Sequence, residues 1–111
     1  MDDSDFTGTW HIYEMEQWDD DYFNMEVQAY IRIESATSGC FQFGLVNGEI
    51  DGRIVDQADS KRFEFTWEGN DECDPASGSG WLRRKEEDLL EGEFRFHEGD
   101  SSIFLARRAK G

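Results

Sequence analysis

Apolar and polar residues alternate with a period of two along most of this chain, the pattern of strands that bury one face. Val27, Ala29, Ile31 and Ile33 share a face whose reverse carries Gln28, Arg32 and Glu34. Phe41, Phe43 and Leu45 alternate with Gln42 and Gly44, and Ile50, Gly52 and Ile54 with Asp51 and Arg53. Phe63, Phe65 and Trp67 alternate with Glu64, Thr66 and Glu68. Leu90, Gly92, Phe94 and Phe96 alternate with Glu91, Glu93, Arg95 and His97. Trp81-Leu82 begins a shorter strand, and Ile103, Leu105 and Arg107 alternate with Phe104, Ala106 and Arg108 in the last. The first strand, from Thr9, is mixed. Trp10, Ile12, Glu14, Glu16 and Trp18 share one face, His11, Tyr13 and Met15 the other, and either suits the interior.

Polar turns separate these segments. Asn47-Gly48 predicts a type I′ hairpin, whose two central residues need positive φ. Only "DDDYFNMEVQAY" offers a helical turn, and the single proline, Pro75, falls in the stretch between Trp67 and Trp81 that reads as a long loop. Gly44, Gly52 and Gly92 interrupt strand patterns and read as tight bends at barrel corners. Eight consecutive strands with hairpin connections predict one all-β domain over residues 1–111, an eight-stranded antiparallel up-and-down barrel. Closure removes both sheet edges. The alternative is a two-sheet β-sandwich.

Composition supports a folded domain. Nine Phe, three Tyr and four Trp supply large rings for a core, which a disordered acidic chain lacks. The net charge of −15 repels nucleic acid and anionic lipid, and the one basic run, Arg83-Arg84-Lys85, is followed directly by Glu86-Glu87-Asp88. No apolar run approaches the roughly 20 residues that span a bilayer. "MDDSDFTG" is the reverse of a secretory leader, so the chain is expected in the cytoplasm, with Cys40 and Cys73 as reduced thiols.

The segment "FTGTW", Phe6 to Trp10, places a Gly-x-Trp at the start of the first strand. It resembles the opening of the lipocalin, fatty-acid-binding and avidin group of barrels. The resemblance implies a lipocalin-like build in which a basic side chain from the last strand lies across the tryptophan and closes one end. Arg107 is the better match if the face it shares with Ile103 and Leu105 points inward, and Arg108 is the alternative. The resemblance names no ligand. "WDDDYFNMEVQAYI", "FQFGLVNGEIDG", "WEGNDECDP" and "GEFRFHEGDSS" resemble a set of short bacterial conserved hypothetical proteins, which brings no activity with it.

In an up-and-down meander, the connections after strands one, three, five and seven share an end. That gathers Trp18, Asp20 and Tyr22 with the segment holding Trp67, Asn70, Asp71, Glu72, Asp74 and Trp81, and with His97. The expectation is an acidic aromatic rim opposite an end closed by Trp10 and Arg107. The rim reads either as a set of solvated corners or as a mouth for a small ligand or a basic protein surface. A second copy of the chain is a further partner this reading admits. Asn70, Asp71, Glu72 and Asp74 do not follow the alternate-position spacing of a calcium loop, so no metal or cofactor is assigned. The alternative is a thiol- or metal-dependent enzyme using Cys73, His97 and the loop acids. Glu72 and Asp74 flank Cys73 and would weaken it as a nucleophile, so a non-catalytic binding or interaction module is the leading expectation.

Overall fold

β1 (Gly8–Met15) hydrogen-bonds to β2 (Tyr30–Ile33) on one side and to β8 (Ser101–Arg108) on the other. Between them β3 (Ser38–Phe43), β4 (Val46–Gln57), β5 (Ser60–Asp71), β6 (Asp74–Glu86) and β7 (Leu89–Phe96) follow in chain order, every neighbour antiparallel. The sheet is one closed up-and-down barrel, which rules out the two-sheet sandwich. This computed structural model describes residues 6–35, 37–57, 60–72 and 74–109. A short helix, α1 (Asp20–Phe23), lies in the β1–β2 connection where the helical turn is expected. Its first-turn acids, Asp20 and Asp21, suit the positive helix end, and its apolar residue Phe23 is buried.

Strand alternation sends one residue in two into the barrel, and there the rings meet across it. Phe41 of β3 lies 4.6 Å, centroid to centroid, from Phe94 of β7, and Phe94 lies 4.6 Å from Phe104 of β8. Phe43 lies 5.0 Å from Phe94, and Trp67 of β5 stands edge-on to Phe41 at 5.1 Å. Interior glycines face these rings. A Cβ at Gly92 would meet Phe104 Cζ at 2.7 Å, and one at Gly80 would meet Phe65 Cζ at 2.7 Å. Gly52 and Gly92 are thus points of close approach: a Cβ at Gly52 would meet the Glu64 carbonyl oxygen and Phe63 Cζ, each at 2.7 Å, and one at Gly92 would meet the Trp81 carbonyl oxygen at 2.5 Å as well as the ring.

Three registers differ from the sequence expectation. In β1, Ile12 faces Ala106 while Glu14 faces Leu105, so a bulge at Tyr13 adds a residue and flips the phase. Met15, not Glu14, then points inward and is buried. Second, the β3–β4 turn is Gly44-Leu45, and Asn47 and Gly48 are strand residues opposite Gln42 and Phe41. Gly44 has a φ of 56° and Leu45 has no positive φ, the pattern of a type II′ turn. Either register buries Phe41, Phe43 and Ile50, so alternation alone does not choose. The choice comes from α1: Gly44 N–H donates to the Phe23 carbonyl (2.9 Å), and the Tyr22 ring occupies the space a side chain at Gly44 would need.

Third, the Trp67–Trp81 stretch is not a long loop. β5 and β6 pair continuously to Asp71 opposite Asp74, leaving a two-residue turn. Pro75 sits beyond the part of β6 that pairs with β7, which begins at Gly78 opposite Phe96, so its missing N–H costs the ladder nothing on that side.

At the far end Trp10 is fully buried and its Nε1 donates to the Phe6 carbonyl at 2.9 Å. The basic residue over it is Arg108, 4.2 Å from the ring centroid, and not Arg107. The inward face of β8 is Ser102, Phe104 and Ala106, and Arg108 continues it. Arg107 is exposed on the outside, 4.4 Å over the Tyr13 ring.

Candidate functional site

The four connections expected to share an end do so. α1, the Gly44-Leu45 turn, the β5–β6 turn and the β7–β8 turn sit at one rim, and Glu72 N–H donates to the Leu45 carbonyl at 2.8 Å to tie two of them together. Asp20, Asn70, Asp71, Glu72 and Asp74 are exposed there, and so is His97. The rim is acidic, as expected, but its aromatic residues form a plug. Trp18 packs on Tyr22 (6.1 Å), Phe43 (5.4 Å) and Phe96 (5.9 Å). Leu45 N–H reaches the Tyr22 hydroxyl at 3.5 Å, and Phe23 is buried beneath. Side chains of α1 and its flanks thus close the end that the sequence left open to either reading, corners or mouth.

Trp67 lies under this plug, 2% exposed. Its Nε1 has no hydrogen-bond partner among the described residues. The Nε1 edge lies against Gly78 of β6, and the Phe96 ring stands nearly perpendicular to Trp67 at 5.2 Å.

Trp81 is not at the rim. It is seven residues past the β5–β6 turn, about 23 Å along an extended strand. It faces outward, with Arg62 stacked 4.5 Å over the ring and its Nε1 donating to Glu93 at 3.1 Å. Trp67 and Trp81 therefore occupy opposite faces of the sheet and share no cavity.

The proposed thiol–imidazole pair cannot be placed, because Cys73 lies outside the described residues. Cys40, the described thiol, is half-buried beside Tyr30, and burial, then the Glu34 carboxylate, pushes it up from its ordinary value. That disfavours the thiolate a nucleophile needs. Among the described residues no group of three or more His, Cys, Asp or Glu is arranged to hold a metal, and no helix is long and apolar enough to cross a membrane.

A surface that alternation did not single out lies on the outside of β4 to β7. Cross-strand neighbours form rows. One row runs Glu49, Glu68, Ser77, with the His97 N–H donating to the Ser77 carbonyl at 2.8 Å to continue it onto β7. The next runs Asp51, Thr66, Ser79, Arg95. The third runs Arg53, Glu64, Trp81, Glu93. Thr66, Ser77 and Ser79 are small, so the middle of the surface is low, and an open groove of about 1060 Å³ lies over the first two rows. Grooves of about 480 and 510 Å³ continue it toward Trp81 and toward Pro75. The signal was present in "PASGSG": glycines alternate with serines, placing hydrogen atoms inside and hydroxyls outside. Read for turn chemistry, the same six residues look like a loop.

The fold and surface define a closed, ring-filled up-and-down barrel with an acidic exterior. No family model matches the chain, and no curated protein or solved structure matches it either.

Proposed function

We propose that this protein is a non-catalytic interaction module whose acidic surface engages a basic protein, and that it works in the cytoplasm. The carrying observation is the aromatic plug of Trp18, Tyr22, Phe43 and Phe96 over an interior where rings from opposite walls touch. A carrier of apolar ligands needs a pocket of roughly 300 Å³ or more inside the barrel, open at one end. Here side chains occupy the rim where a mouth would open and meet one another behind it. That leaves the exterior, and a net charge of −15 selects cationic partners and speeds their encounter. The same charge argues against nucleic acid and anionic membranes as partners. The Trp10–Arg108 closure supports a lipocalin-like ancestry with the interior filled.

The test pairs two probes. A fluorescein-labelled peptide alternating lysine and serine should bind at low ionic strength and weaken with added salt. The apolar dye ANS should show no stoichiometric binding. Stoichiometric dye binding displaced by a fatty acid, or no peptide binding at low salt, would overturn the proposal.

A further inference from the structure

We infer that the trough outside β5 and β6 is the docking site, and that its occupant is an extended, lysine- or arginine-bearing segment of a partner protein lying along β6. This rests on the interaction-module proposal and names the surface.

Charge is distributed unevenly over the three rows. At the Trp81 end the acids have partners within the molecule: Arg62 pairs with Glu64 at 3.9 Å and stacks on Trp81, whose Nε1 donates to Glu93. The other end is not. Glu49 and Glu68 are direct cross-strand neighbours on the outer face, and Asp51 follows Glu49 on that face. None of the three makes an ion pair among the described residues. Like charges directly opposite each other destabilise a sheet. The fold carries that cost beside the lowest part of the groove, where Thr66, Ser77 and Ser79 leave room for a main chain.

Geometry selects an extended segment. From Pro75 to Trp81 the trough spans six residue steps of β6, about 20 Å, the length of about six extended residues. Small hydroxyl residues on the floor supply hydrogen bonds to a backbone, and the acids stand to one side, within reach of long cationic side chains. Glu98 adds a further carboxylate at the rim end, and Arg95 forms the opposite wall.

The lysine–serine peptide decides this against a variant of equal charge. Glu49→Gln/Glu68→Gln removes two acids from the trough, and Glu86→Gln/Glu87→Gln removes two exposed acids from the β6–β7 turn region. The trough variant should weaken binding on the order of ten-fold and the control less than about two-fold. Amide shifts on peptide addition should centre on Thr66 and Ser79. If both variants weaken binding equally, or if the shifts centre elsewhere, the trough is overturned while the acidic-surface proposal stands. If the wild-type protein does not bind the peptide, both fail. Both variants lie on the surface, and their far-ultraviolet circular dichroism should match the wild type's.

Discussion

The Arg108 guanidinium lies 4.2 Å from the centre of the Trp10 ring, while its Nη1 donates to the Thr7 carbonyl at 3.1 Å and its Nε to Asp88 at 3.3 Å. One side chain thus joins the first strand, the segment before it and the β6–β7 turn. Its neighbour Arg107 lies over Tyr13 on the outside. Arg108→Ala should cost about 1–2 kcal/mol, from the lost ring contact and the packing of its stem. Arg107→Ala should stay within about 0.5 kcal/mol. Urea unfolding midpoints at unchanged m-value check both. Equal losses would mean that the closure is shared. Lysine at 108 should rescue little, since it lacks the planar fork that reaches carbonyl, carboxylate and ring together.

The interior glycines should be as intolerant as the rings they face. A methyl at Gly92 would lie 2.5 Å from the Trp81 carbonyl oxygen, 2.7 Å from Phe104 Cζ and 2.8 Å from Leu82 Cδ2. Gly92→Ala gains up to about 1 kcal/mol by stiffening the unfolded chain. Overpacking opposes this with about 1–3 kcal/mol, and net destabilisation is expected. Ser79→Ala, on the outer face of the neighbouring strand, should be close to neutral. A stabilised Gly92→Ala would show that the rings and the Trp81 backbone both yield.

Strand number, order and closure were legible because alternation is a local signal that tertiary packing reinforces. Phe63, Phe65 and Trp67 read as one buried face and are one. Registers were less legible, because they depend on contacts distant in sequence. Asn47-Gly48 has the best turn chemistry in the chain, yet Tyr22 docking on Gly44 moves the turn three residues upstream. "PASGSG" has poor intrinsic strand propensity, and its strand character comes from Phe65 and Trp67 covering Gly80 and Gly78. The shared rim followed from topology alone. Its closure did not, since no periodicity says that Trp18 folds back onto Phe43 and Phe96.

Trp18 seals the acidic end by touching Tyr22, Phe43 and Phe96. Trp18→Ala should remove that seal, cost about 2 kcal/mol for a half-buried ring and open an apolar hollow. The variant, unlike the wild type, should enhance ANS fluorescence while remaining cooperatively folded. An unchanged dye signal in a folded variant would show that α1 collapses to refill the space.

Cys40 should make the fold sensitive to alkali. Burial, then Glu34, holds its thiol above the ordinary value of 9.0, and Tyr30 beside it is also raised, chiefly by burial. Between the unfolded and folded values the unfolded chain has already lost protons that the folded chain keeps. The unfolded state then binds fewer protons, so stability falls as pH rises. The contribution is complete below about pH 9 and fades as pH climbs through the folded value. Cys40→Ala should flatten the decline in urea midpoint above pH 9. In a Cys73→Ser background, alkylation of Cys40 by iodoacetamide at pH 8 should be slower than that of the urea-unfolded chain. Rates equal to the unfolded chain's would contradict the raised thiol.

Glu49 and Glu68 face each other across β4 and β5 with no cation between them among the described residues. Glu68→Lys replaces a like-charge pair with an opposite one and should stabilise the protein by about 0.5–1 kcal/mol at low salt. Ions screen exposed charges, so most of that gain should vanish at 1 M sodium chloride. The same substitution should also weaken lysine–serine peptide binding more than Glu68→Gln does, because it places a like charge against the peptide. A stability gain with undiminished binding would separate the strain from the site. A loss of binding that tracks the stability gain is what is expected if the acids are kept, at a cost to the sheet, for a cationic partner.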